Sequence, residues 1–279
     1  MGQGAGRTFD PRGGGAVFSE LFEGALGDVR QLARCISLLE EGVEGAMEAH
    51  SRLSPRREEA RGQPQVIGLT GPPGAGKSCL VDCLVSRARQ QGRTVAVVAV
   101  DPSSPFSGGA ILGDRFRMEQ HALDPGVFIR SLSARGNLGG LSRATGQVVD
   151  LLDAAGWDLV IVETVGVGQS ELAVCEIADT AVVVMTPESG DTVQAMKAGL
   201  TEIADVFVVN KADRPGADLL SRELEAAVNL EENAAWRAPV VTTSATENRG
   251  IDEAMAAIDA HREHCMGAGA DAWRERRAS

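Results

Sequence analysis

The chain of 279 residues is short of several features that would direct its reading at once. No apolar stretch approaches the roughly 20 residues that span a bilayer, so no membrane-crossing segment is expected. The start, MGQGAGRTFDPRGGG, lacks the apolar core of a secretory signal and reads as a disordered tail over 1–16. A basic patch is also missing. Lys and Arg number 27 against 39 Asp and Glu, a formal net charge of -12, and such a chain is repelled by nucleic acid and by anionic membranes. The Arg-bearing pieces 52–61 and 274–277 are short, mixed with acids, and read as solvated helix ends. Five cysteines, an odd number without regular spacing, suit a reducing compartment rather than a disulfide framework, and the expected location is cytoplasmic. The four histidines are scattered. Cys79 and Cys83 lie one helical turn apart with no His beside them, and His261, His264 and Cys265 read as a solvated surface cluster rather than a metal site. There is no internal repeat.

What is present is a regular alternation. Runs rich in Val, Ile and Thr at 65–70, 94–100, 127–130, 157–163, 180–186, 205–210 and 239–243 read as strands. Helical patterns at 77–91, 138–155, 191–203, 217–234 and 250–264 lie between or after them. Continuously apolar strands separated by helices predict an α/β fold: a mostly parallel sheet in a three-layer arrangement, covered on both faces. Such sheets bind ligands at the carboxyl ends of their strands. Ahead of the first strand, Phe22, Leu26, Val29, Leu32, Ile36, Leu39 and Val43 recur at helical spacing, with Gly24 and Gly27 dividing two helices. The expected organisation is a helical extension and polar linker over 17–64, a nucleotide-binding domain over 65–265 and a short tail over 266–279.

The first strand runs into Gly71-Pro72-Pro73-Gly74-Ala75-Gly76-Lys77-Ser78, a complete G-x-x-x-x-G-K-S loop before a helix. Its glycines let backbone N–H groups curl around phosphate oxygens, and the helix N-terminus favours negative charge. Lys77 is placed for the β- and γ-phosphates, and the Ser78 hydroxyl for Mg²⁺. The backbone of Cys79 follows at the α-phosphate. This much indicates a nucleoside triphosphate.

The base is indicated elsewhere. The strand DVFVVN leads into Asn210-Lys211-Ala212-Asp213. A carboxylate at Asp213 matches the two donors of guanine, which adenine does not present, so discrimination is large. The Lys211 stem would lie along the purine and Asn210 would tie this loop to the phosphate loop. The last strand supplies Thr243-Ser244-Ala245, with Ser244 and Ala245 at the guanine oxygen. GTP is the expected nucleotide.

The second strand ends at Asp101-Pro-Ser-Ser, where a carboxylate can hold a magnesium-bound water or orient an attacking one, and Asp114 follows in GGAILGDRFRM. The fourth strand, WDLVIV, ends at Glu163 in ETVGVGQSE. Glu163 is one carbon longer than the Asp more usual near magnesium, and Gly166 offers a backbone N–H to the γ-phosphate. That segment is expected to distinguish GTP from GDP. Gln169 stands three residues beyond Gly166 and is given no role.

Taken in order, GLTGPPGAGKS, VDPSSPFSGGAILGDRFRM, IRSLSARGNLGGLS, ETVGVGQSE, GDTVQAMKAGLTEIAD and NKAD closely resemble the MeaB/ArgK family of GTPases over about residues 30 to 265. The resemblance implies a P-loop NTPase sheet of the SIMIBI class. It implies a GTP-hydrolysing chaperone of an adenosylcobalamin-dependent acyl-CoA mutase, such as methylmalonyl-CoA mutase. Such a chaperone gates cofactor loading and protects or reactivates the mutase. Because no water-positioning residue directly follows Gly166 and no motif arginine is assigned to the γ-phosphate, hydrolysis is expected to be slow alone and faster with the partner. Cobalamin is then met only through the mutase, with the mutase's cobalamin adenosyltransferase as a second candidate partner. By motif, Asp101, Asp114 and Glu163 join Ser78 as metal residues. The loop 190–197 becomes a partner-sensing switch with Asp191 and Lys197, and Lys197 joins Lys77, Asp101, Glu163 and Gly166 in catalysis. Two departures stand out: Cys79 replaces the Thr usual after the loop Ser, and family members commonly continue past this C-terminus into a dimer-building arm. A monomer or an atypical dimer is therefore expected.

Three other functions fit parts of this pattern. A nickel-type metal-insertion GTPase would need a His/Cys cluster near the switches, a P-loop kinase would need an acceptor pocket with a base, and a scaffold would bind nucleotide without hydrolysing it.

Overall fold

In the computed structural model the residues described are 14–52, 65–101, 118–121, 123–133, 143–164, 174, 177–188, 203–230 and 235–267. Seven strands form one sheet: β1 (Gln65–Thr70), β2 (Val95–Asp101), β3 (Val127–Ser133), β4 (Leu159–Thr164), β5 (Thr180–Met185), β6 (Val206–Val209) and β7 (Val240–Thr242). The order is β3-β2-β4-β1-β5-β6-β7 and every pairing is parallel. β1, β4 and β5 are buried along their whole length, which is why their sequences are apolar without alternation.

Among the described residues the helices are α1 (Gly14–Ala25), α2 (Val29–Glu40), α3 (Glu44–Ser51), α4 (Lys77–Gln90), α5 (Arg143–Ala154), α6 (Ala217–Val228) and α7 (Ile251–Met266). Alternate residues of each strand point to opposite faces. Ile67, Leu69, Val182 and Val184 pack under α4 and α7, with Leu80, Leu84, Met255 and Ile258. Val66, Val98, Val160 and Ala181 face the other way, onto α2 and α5. Val183 and Phe207 continue that second face beneath α6. The three-layer parallel sheet expected from the sequence is what the chain forms.

The extension holds three helices rather than two. Asp28 ends the first break by accepting from the Arg30 and Gln31 amides as the N-cap of α2. A second break comes at Gly42, whose φ of +71° turns the chain into α3. α1 already starts at Gly14, within the segment expected to be a tail. Phe18, Phe22, Leu32, Ile36 and Ala46 share one buried cluster with Val66, Val98 and Leu151, so the extension rests directly on the sheet. Its α3 reaches α5 through buried His50, which sits 4.0 Å from Asp150. α6 stops at Val228, short of the expected 234, and residues 231–234 lie outside the described residues, as does nearly all of the expected helix 191–203.

The expected surface cluster at His261, His264 and Cys265 is corrected by the structure. His261 and Cys265 are buried on the inner side of α7. His261 Nδ1 meets Thr180 Oγ1 at 3.0 Å and Nε2 lies 3.3 Å from Asp205 Oδ1, while Trp236 packs edge-on. The spacing i, i+4 correctly put 261 and 265 on one face, but that face is the core one. The cluster sits where β5 and β6 begin, at the sheet edge opposite the phosphate loop, and works as a polar joint between strands and helix. Among the described residues no three or more His, Cys, Asp or Glu side chains come together to hold a metal ion.

Candidate functional site

The phosphate loop connects central strand β1 to α4. Gly71 takes φ of +140°, and a Cβ there would collide with the Val184 carbonyl of neighbouring β5, so only glycine lets the chain leave the strand at this point. Gly76 takes φ of +83° as the N-cap of α4, with no side chain capping the helix amides. The first turn of α4 thus directs uncapped N–H groups into the loop, the arrangement that favours a bound anion. Lys77 is buried, and its Nζ donates to the carbonyls of Gly71 at 2.6 Å and Pro72 at 3.2 Å. Pro73, Gly74 and Cys79 are exposed around the loop, while Pro72 and Ala75 are buried. Cys83, one turn beyond Cys79, is half-buried and donates to the Ala245 carbonyl at 3.3 Å. Burial pushes its thiol pKa up to about 11, which leaves it a packing group.

Glu163 is the second-last residue of β4, paired with Leu69 of β1 on one side and Ala99 of β2 on the other. That register places it directly below the phosphate loop. It is 1% exposed, and its Oε1 accepts the Ser78 hydroxyl at 2.6 Å. A carboxylate buried so deeply is costly unless hydrogen-bonded or close to a cation. The donors that meet here, a hydroxyl and a carboxylate, are hard oxygens of the kind Mg²⁺ prefers, and the residues therefore fit that ion. Asp101 ends β2 two residues beyond Ala99, its backbone described and paired with Ser133. Asp114, Gly166, Gln169, Asp191 and Lys197 lie outside the described residues.

The base loop is joined to the phosphate loop as expected. Asn210 is buried at the end of β6, and its Nδ2 donates to the Ala75 carbonyl at 2.9 Å. Its Oδ1 accepts from Thr243 Oγ1 at 3.1 Å and from the Ala245 amide at 3.2 Å. One amide side chain thus ties together three loops from three strands. Lys211 takes φ of +59°, an unusual conformation for a residue with a Cβ, and the turn it makes exposes Asp213. Asp213 Oδ1 accepts the Ser244 hydroxyl at 2.7 Å, and that bond above all holds the carboxyl below its usual range. The carboxylate is thus held ionised, tied at Oδ1 to Ser244, on an exposed residue.

Two contacts had no signal in the sequence. Thr243 was read only for its backbone, yet its buried hydroxyl orients Asn210. Glu188, on the turn after β5, pairs with Lys211 at 3.3 Å and with Arg214. Both are long-range relationships that no local spacing encodes.

A parallel sheet with a Gly-rich loop between its central strand and a helix, and an Asn-Lys-x-Asp loop hydrogen-bonded to it, defines a P-loop nucleoside-triphosphate-binding protein. The model of the family described as Methylmalonyl Co-A mutase-associated GTPase MeaB matches residues 32–279, and the chain belongs to that family. A Pyrococcus abyssi protein designated a GTPase is 52% identical over 241 residues, 85% of this chain and 73% of its own length. The Mus musculus protein named methylmalonic aciduria type A homolog, mitochondrial, is 39% identical over 207 residues, 71% of this chain and 50% of that protein. A crystal structure of an LAO/AO transport system kinase superposes with a TM-score of 0.74 at 29% identity, covering 94% of this chain and 80% of that one. The nickel-complexed HypB of Helicobacter pylori has a TM-score of 0.53 at 16% identity, over 77% of this chain and 94% of its own, a likeness of fold alone.

Proposed function

We propose that this GTPase serves an adenosylcobalamin-dependent acyl-CoA mutase, using Mg²⁺-GTP hydrolysis to gate cofactor loading and to protect or reactivate the mutase. The observation that carries the guanine part is the position of Asp213, an ionised carboxylate fixed by Ser244 on a loop that Asn210 fastens to the phosphate loop. The mutase is supported by the family description and by the name of the mouse relative.

In this reading the uncapped amides at the start of α4 receive the β-phosphate. Lys77 exchanges its bonds to the Gly71 and Pro72 carbonyls for oxygens of the β- and γ-phosphates. Ser78 would hold Mg²⁺ directly, with Glu163, Asp101 and Asp114 acting on it through water. When bound, the ion would neutralise charge that develops on the β- and γ-phosphates. We assign the amide of Gly166 to sense the γ-phosphate and its loss. Water attacks the γ-phosphorus in line, the bond to the β–γ bridging oxygen breaks, and GDP and phosphate leave. We assign no arginine of the sequence motifs to the γ-phosphate, so charge stabilisation is read as incomplete and the protein alone as slow. Supplying such a cation raises rates by roughly 10³–10⁵ in other GTPases. Lys197, in the partner-sensing loop, is the residue we assign to respond when the mutase docks.

The kinase and nickel readings are weaker. A base loop made for guanine does not suit an ATP-using kinase, and the nickel reading lacks a His/Cys cluster among the described residues. Phosphate release should be measured for the protein alone, with apo-mutases, and for Lys197→Ala. The expected result is acceleration by a mutase that Lys197→Ala blunts more than the basal rate. If no acyl-CoA mutase binds or accelerates the protein, the partner assignment fails.

A further inference from the structure

Among the described residues, the helical extension reaches the carboxyl end of β3 through Glu40. Glu40 is the last residue of α2, and its carboxylate has two tasks. Oε1 accepts the backbone amide of Ser133 at 3.0 Å, and Oε2 lies 3.3 Å from Arg130 Nη2. Arg130 Nη2 also donates to Ser37 Oγ at 2.9 Å, one turn back on α2. The pair is largely shielded, with side-chain exposures of 14% for Glu40 and 22% for Arg130. A clamp of this kind is directional as well as ionic, because the amide and the guanidinium approach different oxygens of one carboxylate.

Its position gives it a consequence. Ser133 closes β3 at the carboxyl edge of the sheet, and its register partner is Asp101, the last residue of β2. One strand further on, β2 pairs with β4 through Ala99 and Glu163 and through Val100 and Thr164. Glu40 therefore pins the outer end of a three-strand group whose inner member carries Glu163, two strands across and two residues back along the strands, roughly 12 Å away at ordinary strand spacing and rise. The amide it takes is one that an edge strand would otherwise leave to water, since β3 ends the sheet.

We propose that Glu40 is a positioning residue for Mg²⁺-nucleotide binding, holding the end of β3 and, through its pairing with β2, the backbone of Asp101 at a fixed height two residues beyond the row of Glu163. The inference rests on the reading of Asp101 and Glu163 as the carboxylates that face the ion. It gives the extension a function beyond covering the sheet: whatever displaces α2 changes the metal end of the site.

The test is the Mg²⁺ concentration at which a fluorescent GTP analogue is half-bound, a binding readout independent of turnover. Glu40→Ala should raise this midpoint about tenfold, the range found when residues behind metal ligands are removed. Affinity measured at saturating Mg²⁺ should stay near wild type. Glu40→Gln keeps an acceptor for the Ser133 amide and should return the midpoint most of the way to the wild-type value. A midpoint unchanged in a folded Glu40→Ala overturns the proposal, whatever its melting temperature. Should that variant not fold, Arg130→Gln, which unclamps Glu40 without removing it, should move the midpoint the same way, and no movement there overturns it. Asp101→Ala is the control. A shift with Asp101→Ala but none with Glu40→Ala defeats this inference alone, and no shift with Asp101→Ala defeats the metal reading and this inference together.

Discussion

Asn210 donates from its side-chain amide to the carbonyl of Ala75, 2.9 Å away and 135 residues earlier in the chain. The same side chain accepts from Thr243 and from the Ala245 amide, so the loops for phosphate and base are set by one buried group. Gly76 makes room for it, since a Cβ there would lie 2.5 Å from Asn210 Nδ2.

Asn210→Ala should accordingly damage stability and binding together. It leaves the Ala75 carbonyl and the Ala245 amide without this partner, and an unmet buried polar group costs about 1–3 kcal/mol. Urea denaturation reads the first effect, and titration with a nonhydrolysable GTP analogue the second, where a fall of at least about tenfold is expected for a loss of 1.4 kcal/mol. Full GTP affinity in a destabilised variant would show that the two loops are positioned independently.

Lys77→Ala should abolish measurable binding of GTP and GDP alike, because the same ammonium serves the charged end of both. The variant also removes two bonds to the loop carbonyls, so its fold must be checked by circular dichroism. A well-folded Lys77→Ala that binds GTP as tightly as wild type contradicts the phosphate-loop assignment.

Asp213→Asn should turn base preference from guanine to xanthine. The new amide can donate to the 2-oxo group of xanthosine triphosphate but repels the guanine amino group. Competition between the two nucleotides measures the change, and an unaltered preference for GTP excludes Asp213 from base recognition.

His50 makes stability depend on pH. Burial lowers its pKa below the ordinary 6.5, outweighing the opposing pull of Asp150. The unfolded chain therefore takes up a proton before the folded one does. Stability is fully present above the ordinary value and is lost as pH falls below it towards the lowered value. Urea denaturation at pH about 7.5 and about 5.5 should show a drop that is smaller in His50→Gln. An identical pH dependence in both proteins would assign the drop elsewhere.

Much of this was legible in the sequence because local patterns carry it. Apolar strands without alternation predicted a parallel sheet, and the loop ending at Ser78 could be placed at a strand end by counting. The pairing of Asn210 with the phosphate loop followed from chemistry. The buried cluster at His261 was misread because periodicity gives a face without saying whether that face is covered. Glu40, the Thr243 hydroxyl and the bridge from Glu188 to Lys211 escaped altogether, since each depends on segments the chain brings together only in three dimensions. The third helix of the extension was missed because Gly42 was not weighed as a break.

The central claim is that the Ser78–Glu163 pair is the metal end of a GTP-hydrolysing site, and single-turnover phosphate release across a Mg²⁺ titration tests it most directly. Wild type should hydrolyse GTP, and not ATP, in proportion to Mg²⁺ occupancy. Glu163→Gln, nearly isosteric and still able to accept from Ser78, should bind GTP yet lose about 10–100-fold in rate or in Mg²⁺ affinity. A Glu163→Gln protein that releases phosphate at the wild-type rate with the same Mg²⁺ dependence would contradict the account.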